Sequence, residues 1–118
     1  MKPGEANFKD KILLLMNRRS AYFVEGDSML PTLKSGDMVL ADPRAEITTG
    51  DIVVADHPYM RSVKLVKRVG SINSDGRYVL MGDNPQASTD SRSFGSIAKR
   101  DIKGKVVSWT RAGSLVSF

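Results

Sequence analysis

Hydrophobic and polar positions change rhythm once along this chain, near Ser20. Before that point Phe8, Ile12, Leu15 and Met16 recur at helical spacing, which predicts one short apolar-striped helix over residues 8–19. Lys9, Asp10 and Lys11 fall off the stripe, and Arg18 and Arg19 suit a C-terminal turn. Residues 1–7, with Pro3 and Gly4, read as a loose start. After Ser20 the pattern alternates and β-branched residues take over, punctuated by Gly-Asp pairs. It predicts strands at Ala21–Glu25, Asp37–Ala41, Asp51–Asp56, Arg61–Val69, Tyr78–Met81 and Asp101–Thr110. Asn73, Ser74, Asp75 and Gly76 form a hairpin turn between the fourth and fifth. Residues 82–95 are polar, turn-rich and too long for an idle connection. The chain therefore reads as a mainly β protein: an N-terminal segment, 1–20, with one short helix, then a single domain over 21–118.

Composition narrows the chemistry. A chain of 118 residues suits one domain with a real core. The absence of cysteine excludes disulfides, thiolate metal sites, Fe–S clusters and a Cys nucleophile. A single histidine, His57, excludes a poly-His metal site, so neither metal nor cofactor is expected. The longest apolar run, Ile12 to Met16, is far short of the roughly 18–20 residues that cross a membrane. No small-residue cleavage pattern follows it, so the expected location is cytoplasmic. The net charge of +5 is spread along the chain with acidic residues interleaved, which argues against a nucleic-acid partner. The basic helix can pack on the domain edge or make a weak membrane-surface contact, and the apolar Tyr22, Phe23 and Trp109 leave the second reading open.

Three stretches could carry chemistry. Ser28 follows a Gly-Asp pair directly after a strand, in a turn that Gly26 and Pro31 shape. Such a turn can present a hydroxyl with its own N–H free to donate, although most turn serines are structural. In the strand Arg61–Val69, period two places Val63, Leu65, Lys67 and Val69 on one face and Ser62, Lys64, Val66 and Arg68 on the other. Lys67 thus falls among apolar neighbours. Burial there would lower its pKa from about 10.4 toward the ~7–8 of a general base; the alternative is a strand-edge lysine that snorkels into water. A serine nucleophile needs a base. Lys67 or His57 could serve, His57 being expected in a surface loop between Asp56 and Pro58. The third stretch, 81–95, is dense in Asp, Asn, Ser and Arg. In it Asp90 and Arg92 could pair and Ser88 could bond a lysine, or the whole could be a surface loop.

Taken together, these stretches resemble the type I signal peptidases and the LexA-type repressor autoproteases. Residues 28–33 with Gly36, Asp37 and Val39 match the nucleophile box, and residues 50–54 the strand after it. Residues 67–70 match the lysine box, and Gly82, Asp83, Asn84, Ser88, residues 90–92, Phe94 and Gly95 the last box. The resemblance covers about residues 24–110 and implies a signal peptidase/LexA-like β fold and a serine endopeptidase with a Ser-Lys dyad. Ser28 would be the nucleophile, its backbone N–H part of the oxyanion hole, and Lys67 the general base. Ser88 would orient the lysine, and Asp90 and Arg92 would form a structural ion pair beside the site.

The departures are informative. Signal peptidases usually carry a hydroxyl residue two positions before the nucleophile, where this chain has Gly26. Neither a transmembrane anchor, a large inserted subdomain nor a DNA-binding domain is evident. A compact, unanchored sequence with these boxes is most similar to the nickel-type superoxide dismutase maturation proteases, which implies leader removal from the dismutase proenzyme. A signal peptidase-type domain working at the membrane on secretory precursors, and a non-catalytic domain of the same fold, are the alternatives.

Overall fold

The computed structural model of the chain describes residues 4–5, 19–87 and 94–111. The expected helix over 8–19 lies, but for Arg19, outside the described residues. The strands are β1 (Gly4–Glu5), β2 (Ser20–Phe23), β3 (Met38–Asp42), β4 (Ile52–Asp56), β5 (Lys64–Ile72), β6 (Tyr78–Met81) and β7 (Ile102–Thr110). A 3-10 turn, Lys99–Asp101, precedes β7. The sheet runs β2-β3-β7-β4-β5-β6, and every neighbouring pair in that order is antiparallel. The mainly β expectation is met.

Two strands differ from the sequence pattern. The β5 strand begins at Lys64, because the Val63 N–H turns back to the Met60 carbonyl at 2.8 Å and closes a loop over residues 57–63. It runs on to Ile72, which pairs with Tyr78 of β6. The supposedly loose start contains β1, parallel to Ser108 and Trp109 of β7. Two residues carry no periodicity from which a strand could be read.

Apolar clusters lie on both faces of the sheet, and β4 serves both. Ile52 and Val54 join Val66, Val106 and Trp109, with Met29 and Leu33 from the loop before β3. Val53 and Ala55 join Val69, Leu80, Phe94 and Ile97 on the other side. All five residues of β4 are buried, as expected for a strand covered on both faces. Trp109 belongs to the core, with Tyr22 packed against it, so of the three aromatics that suggested a membrane surface only Phe23 is largely exposed.

β7 crosses close to the end of β3 at Gly104. A Cβ built there would stand 2.9 Å from the carbonyl carbon and oxygen of Asp42 and 3.1 Å from the Pro43 nitrogen. These are backbone atoms that cannot swing aside. Gly104→Ala should therefore destabilise the protein by about 1–3 kcal/mol, read as a lower urea midpoint at unchanged m-value.

Candidate active site

Ser28 stands on the loop between β2 and β3. The loop is closed at its base by Val24 N–H to Asp37 O and Gly36 N–H to Val24 O, both 2.8 Å. The side chains of Met29 and Leu33 are fully buried and pin the loop into the core. Asp37, also fully buried, accepts the Lys34 N–H at 2.9 Å and pairs with Arg111 at 3.0 Å. Ser28 itself stays half-buried. Its carbonyl accepts the Asn84 N–H at 2.8 Å, and the Asn84 side chain donates to the Asp27 carbonyl at 3.1 Å. The Ser28 N–H makes no hydrogen bond among the described residues, so it keeps a donor free. Gly26 has φ +78°. That left-handed conformation strains any residue with a Cβ, so a serine or threonine donor at this position would be strained.

Lys67 stands opposite Val53 in the β4–β5 ladder. Period two places it with Leu65 and Val69, and it is 4 % exposed. The buried-face expectation holds and the snorkelling alternative does not. Ser28 and Lys67 line one cavity of about 270 Å³, whose wall includes Met60, Val63 and Leu65.

Arg68 points the other way. Its Nε and Nη2 donate to the two oxygens of Asp83 at 2.8 Å each, and its Nη1 donates to the Gly50 carbonyl at 2.7 Å. Asp83 also accepts the Thr32 hydroxyl at 2.6 Å. One guanidinium thus joins the lysine strand to the Ser28 loop. The hydrogen bond from Arg68 holds the Asp83 carboxyl below its ordinary range against the opposing effect of burial, with help from Thr32. Asp83 in turn raises Arg68. Both residues stand in the matched boxes, but the sequence assigned neither a role. The signal was available in Arg68 itself, a fork-shaped donor on the strand face opposite the lysine. The ion pair expected from Asp90 and Arg92, and the lysine-orienting Ser88, lie outside the described residues.

His57 corrects the sequence reading. It is not on a surface loop: it is 7 % exposed, tilted against Phe94 at 5.0 Å, and lines the cavity with Ser28 and Lys67. Nor is it placed to be a base. Its Nδ1 accepts the N–H groups of Tyr59 and Met60, both at 3.1 Å. The Nδ1 lone pair is thereby occupied and the ring proton sits on Nε2, a donor.

Charge holds the loop that follows. Lys64 and Lys103 both pair with Asp56, and Arg61 pairs with Asp101 at 2.8 Å. Burial works to raise the Asp56 pKa, but the hydrogen bonds and charges of the two lysines outweigh it and the carboxyl is lowered. Asp101 is lowered as well, chiefly by its bond from Arg61.

Among the described residues no helix is long and apolar enough to cross a membrane. The family described as Peptidase S24-like matches residues 5–107. Mitochondrial inner membrane protease subunit 1 of Xenopus tropicalis is 34% identical, over 69% of this chain and 62% of its own length. The Homo sapiens protein of the same name is 33% identical, over 69% and 63%. Mitochondrial ATP-independent inner membrane protease subunit 1a of Arabidopsis thaliana is 30% identical, over 82% and 76%. The chain spans a little under two thirds of the length of the two animal relatives.

The Arg68–Asp83 pair sets an acid dependence. The folded-state pKa of Asp83 lies below its ordinary 3.8, so the unfolded chain binds the proton first. The stabilisation is complete above the unfolded value and is lost as pH falls through the folded one. Asp83→Asn should lower stability at pH 7 by about 1–3 kcal/mol and flatten the loss of Tm on acidification. Among the described residues Asp56 and Asp101 are lowered as well and contribute to the remaining slope. Thermal melts of both proteins across the acid range measure it; parallel pH curves would show that the pair contributes nothing.

Proposed function

The chain belongs to the Peptidase S24-like family, and from that membership we propose that it is a serine endopeptidase with Ser28 as nucleophile and Lys67 as general base. The observation that carries this reading is the shared cavity. It brings together a half-exposed serine hydroxyl and a buried lysine, while the only histidine presents a donor rather than an acceptor.

The chemistry follows from these groups. Lys67 must act as the free amine, the form that burial favours for an ammonium group. Its Nζ takes the Ser28 hydroxyl proton as Oγ bonds to the scissile carbonyl carbon. The Ser28 N–H donates to the resulting oxyanion. Gly26 has no side chain to donate, so any second donor must come from elsewhere. The C–N bond then breaks, and Lys67 returns the proton to the leaving amine. Water, deprotonated by the same amine, releases the acyl group from Ser28. Ser88 orienting the lysine, with Asp90 and Arg92 paired nearby, completes the proposed site as the matched boxes imply.

For the substrate, the relatives support the signal peptidase-type alternative ahead of the first reading. Those relatives are named as inner membrane proteases, so a precursor presented at a membrane surface is the reading we favour. Maturation of nickel superoxide dismutase rests on the sequence reading alone and becomes a second substrate to try.

Incubating the purified protein with signal-peptide-bearing precursors, and separately with the nickel dismutase proenzyme, tests both substrates by product mass. Ser28→Ala and Lys67→Met should each reduce cleavage by about 10³-fold or more. Lys99→Ala, an exposed change on the 3-10 turn, should leave it intact. Cleavage undiminished in Ser28→Ala would overturn the mechanism.

A further inference from the structure

The imidazole of His57 is built into the wall of the cavity in a way that the proposed mechanism does not use. Its ring is fixed from three sides: by the Tyr59 and Met60 N–H groups on Nδ1, by Phe94 at 5.0 Å, and by the edge of Tyr59 at 6.2 Å. The proton is therefore on Nε2. That atom has no hydrogen-bond partner among the described residues, yet it is not sealed from solvent. The space that His57 lines is the one that Ser28 and Lys67 share. This orientation-locked donor belongs to a cavity whose wall also includes the apolar Met60, Val63 and Leu65, and a group that enters the cavity can accept its proton.

We propose that His57 Nε2–H is a specificity-determining donor that reads an uncharged acceptor oxygen on a substrate side chain near the scissile bond, as in Ser, Thr, Asn or Gln. The proposal rests on the endopeptidase reading above. A side chain rather than the main chain is expected, because the cavity is a recess beside the nucleophile, and the peptide carbonyl under attack must lie at Ser28. An uncharged group is expected because Glu25 and Asp27 line the same cavity, and two carboxylates there oppose a third. The apolar wall accommodates the carbon part of the side chain, and Nε2–H discriminates its tip. A site that offers a buried donor penalises a ligand without an acceptor, because the donor is then left unpaired.

The test is a synthetic peptide library in which each position around the cleaved bond carries Asn, Leu or Asp in turn, with kcat/KM read by mass spectrometry. The wild-type protein should prefer Asn over both Leu and Asp at one position by about tenfold. His57→Asn keeps an acceptor where Nδ1 stands but loses the donor at Nε2, so the Asn/Leu ratio at that position should fall to about one. His57→Gln carries an N–H near the Nε2 position and should retain the preference. A role confined to bracing the loop would lower activity on all peptides alike without changing the ratio. Wild-type cleavage with no such preference, or a preference that survives His57→Asn in full, overturns the proposal and leaves the endopeptidase reading standing. Failure of the wild type to cleave any peptide, or equal cleavage by Ser28→Ala, overturns that reading instead.

Discussion

Arg68 directs donors at three acceptors on two segments far apart in sequence: the Gly50 carbonyl and both oxygens of Asp83. Through Asp83 it reaches Thr32, four residues beyond Ser28. Through its own backbone it is continuous with Lys67. The distance between the serine and the lysine is therefore set by a planar, charge-assisted fork rather than by loop packing alone. A lysine at this position could not replace it, because a single ammonium cannot hold two parallel bonds to a carboxylate and a third to a carbonyl in one plane. Asn84, next to Asp83, adds a second tie through the Ser28 and Asp27 carbonyls.

Behind that tie stands a strand buried on both faces. β4 gives Ile52 and Val54 to one core and Val53 and Ala55 to the other. The Ser28 loop is pinned into the first through Met29 and Leu33, while Lys67 extends over the second beside Leu65 and Val69. The site thus draws on both cores, and it inherits rigidity from both. At its end β4 passes directly into the loop that carries His57. A fixed strand and the Asp56–Lys64–Lys103 charges next to it hold that wall of the cavity in place.

What the sequence made legible was what repeats or alternates. Period two placed Lys67 on a buried face, and β-branched runs between Gly-Asp pairs located six of the seven strands. The resemblance to the signal peptidase boxes brought Ser28 and Lys67 into one candidate site. What escaped depends on contacts between distant residues. His57 looked like a loop residue because Asp56 and Pro58 flank it, and its burial is created by Phe94, remote in sequence. Arg68 and Asp83, 15 residues apart, were each visible as motif members, but nothing local shows that they meet. The β1 pairing with Trp109 is equally non-local, and two residues are too few to show a pattern.

Adjacent positions on β5 do opposite jobs on opposite sides of the sheet. Lys67 faces the cavity, and Arg68 faces the brace. This arrangement makes the strand intolerant of length change. One residue inserted or deleted within β5 ahead of Lys67 would turn Lys67 and Arg68 each to the opposite face of the sheet. Variation among descendants of this chain should therefore accumulate as insertions in the loop, upstream of Lys64, while the spacing from Lys64 to Val69 stays constant even where side chains other than Lys67 and Arg68 change.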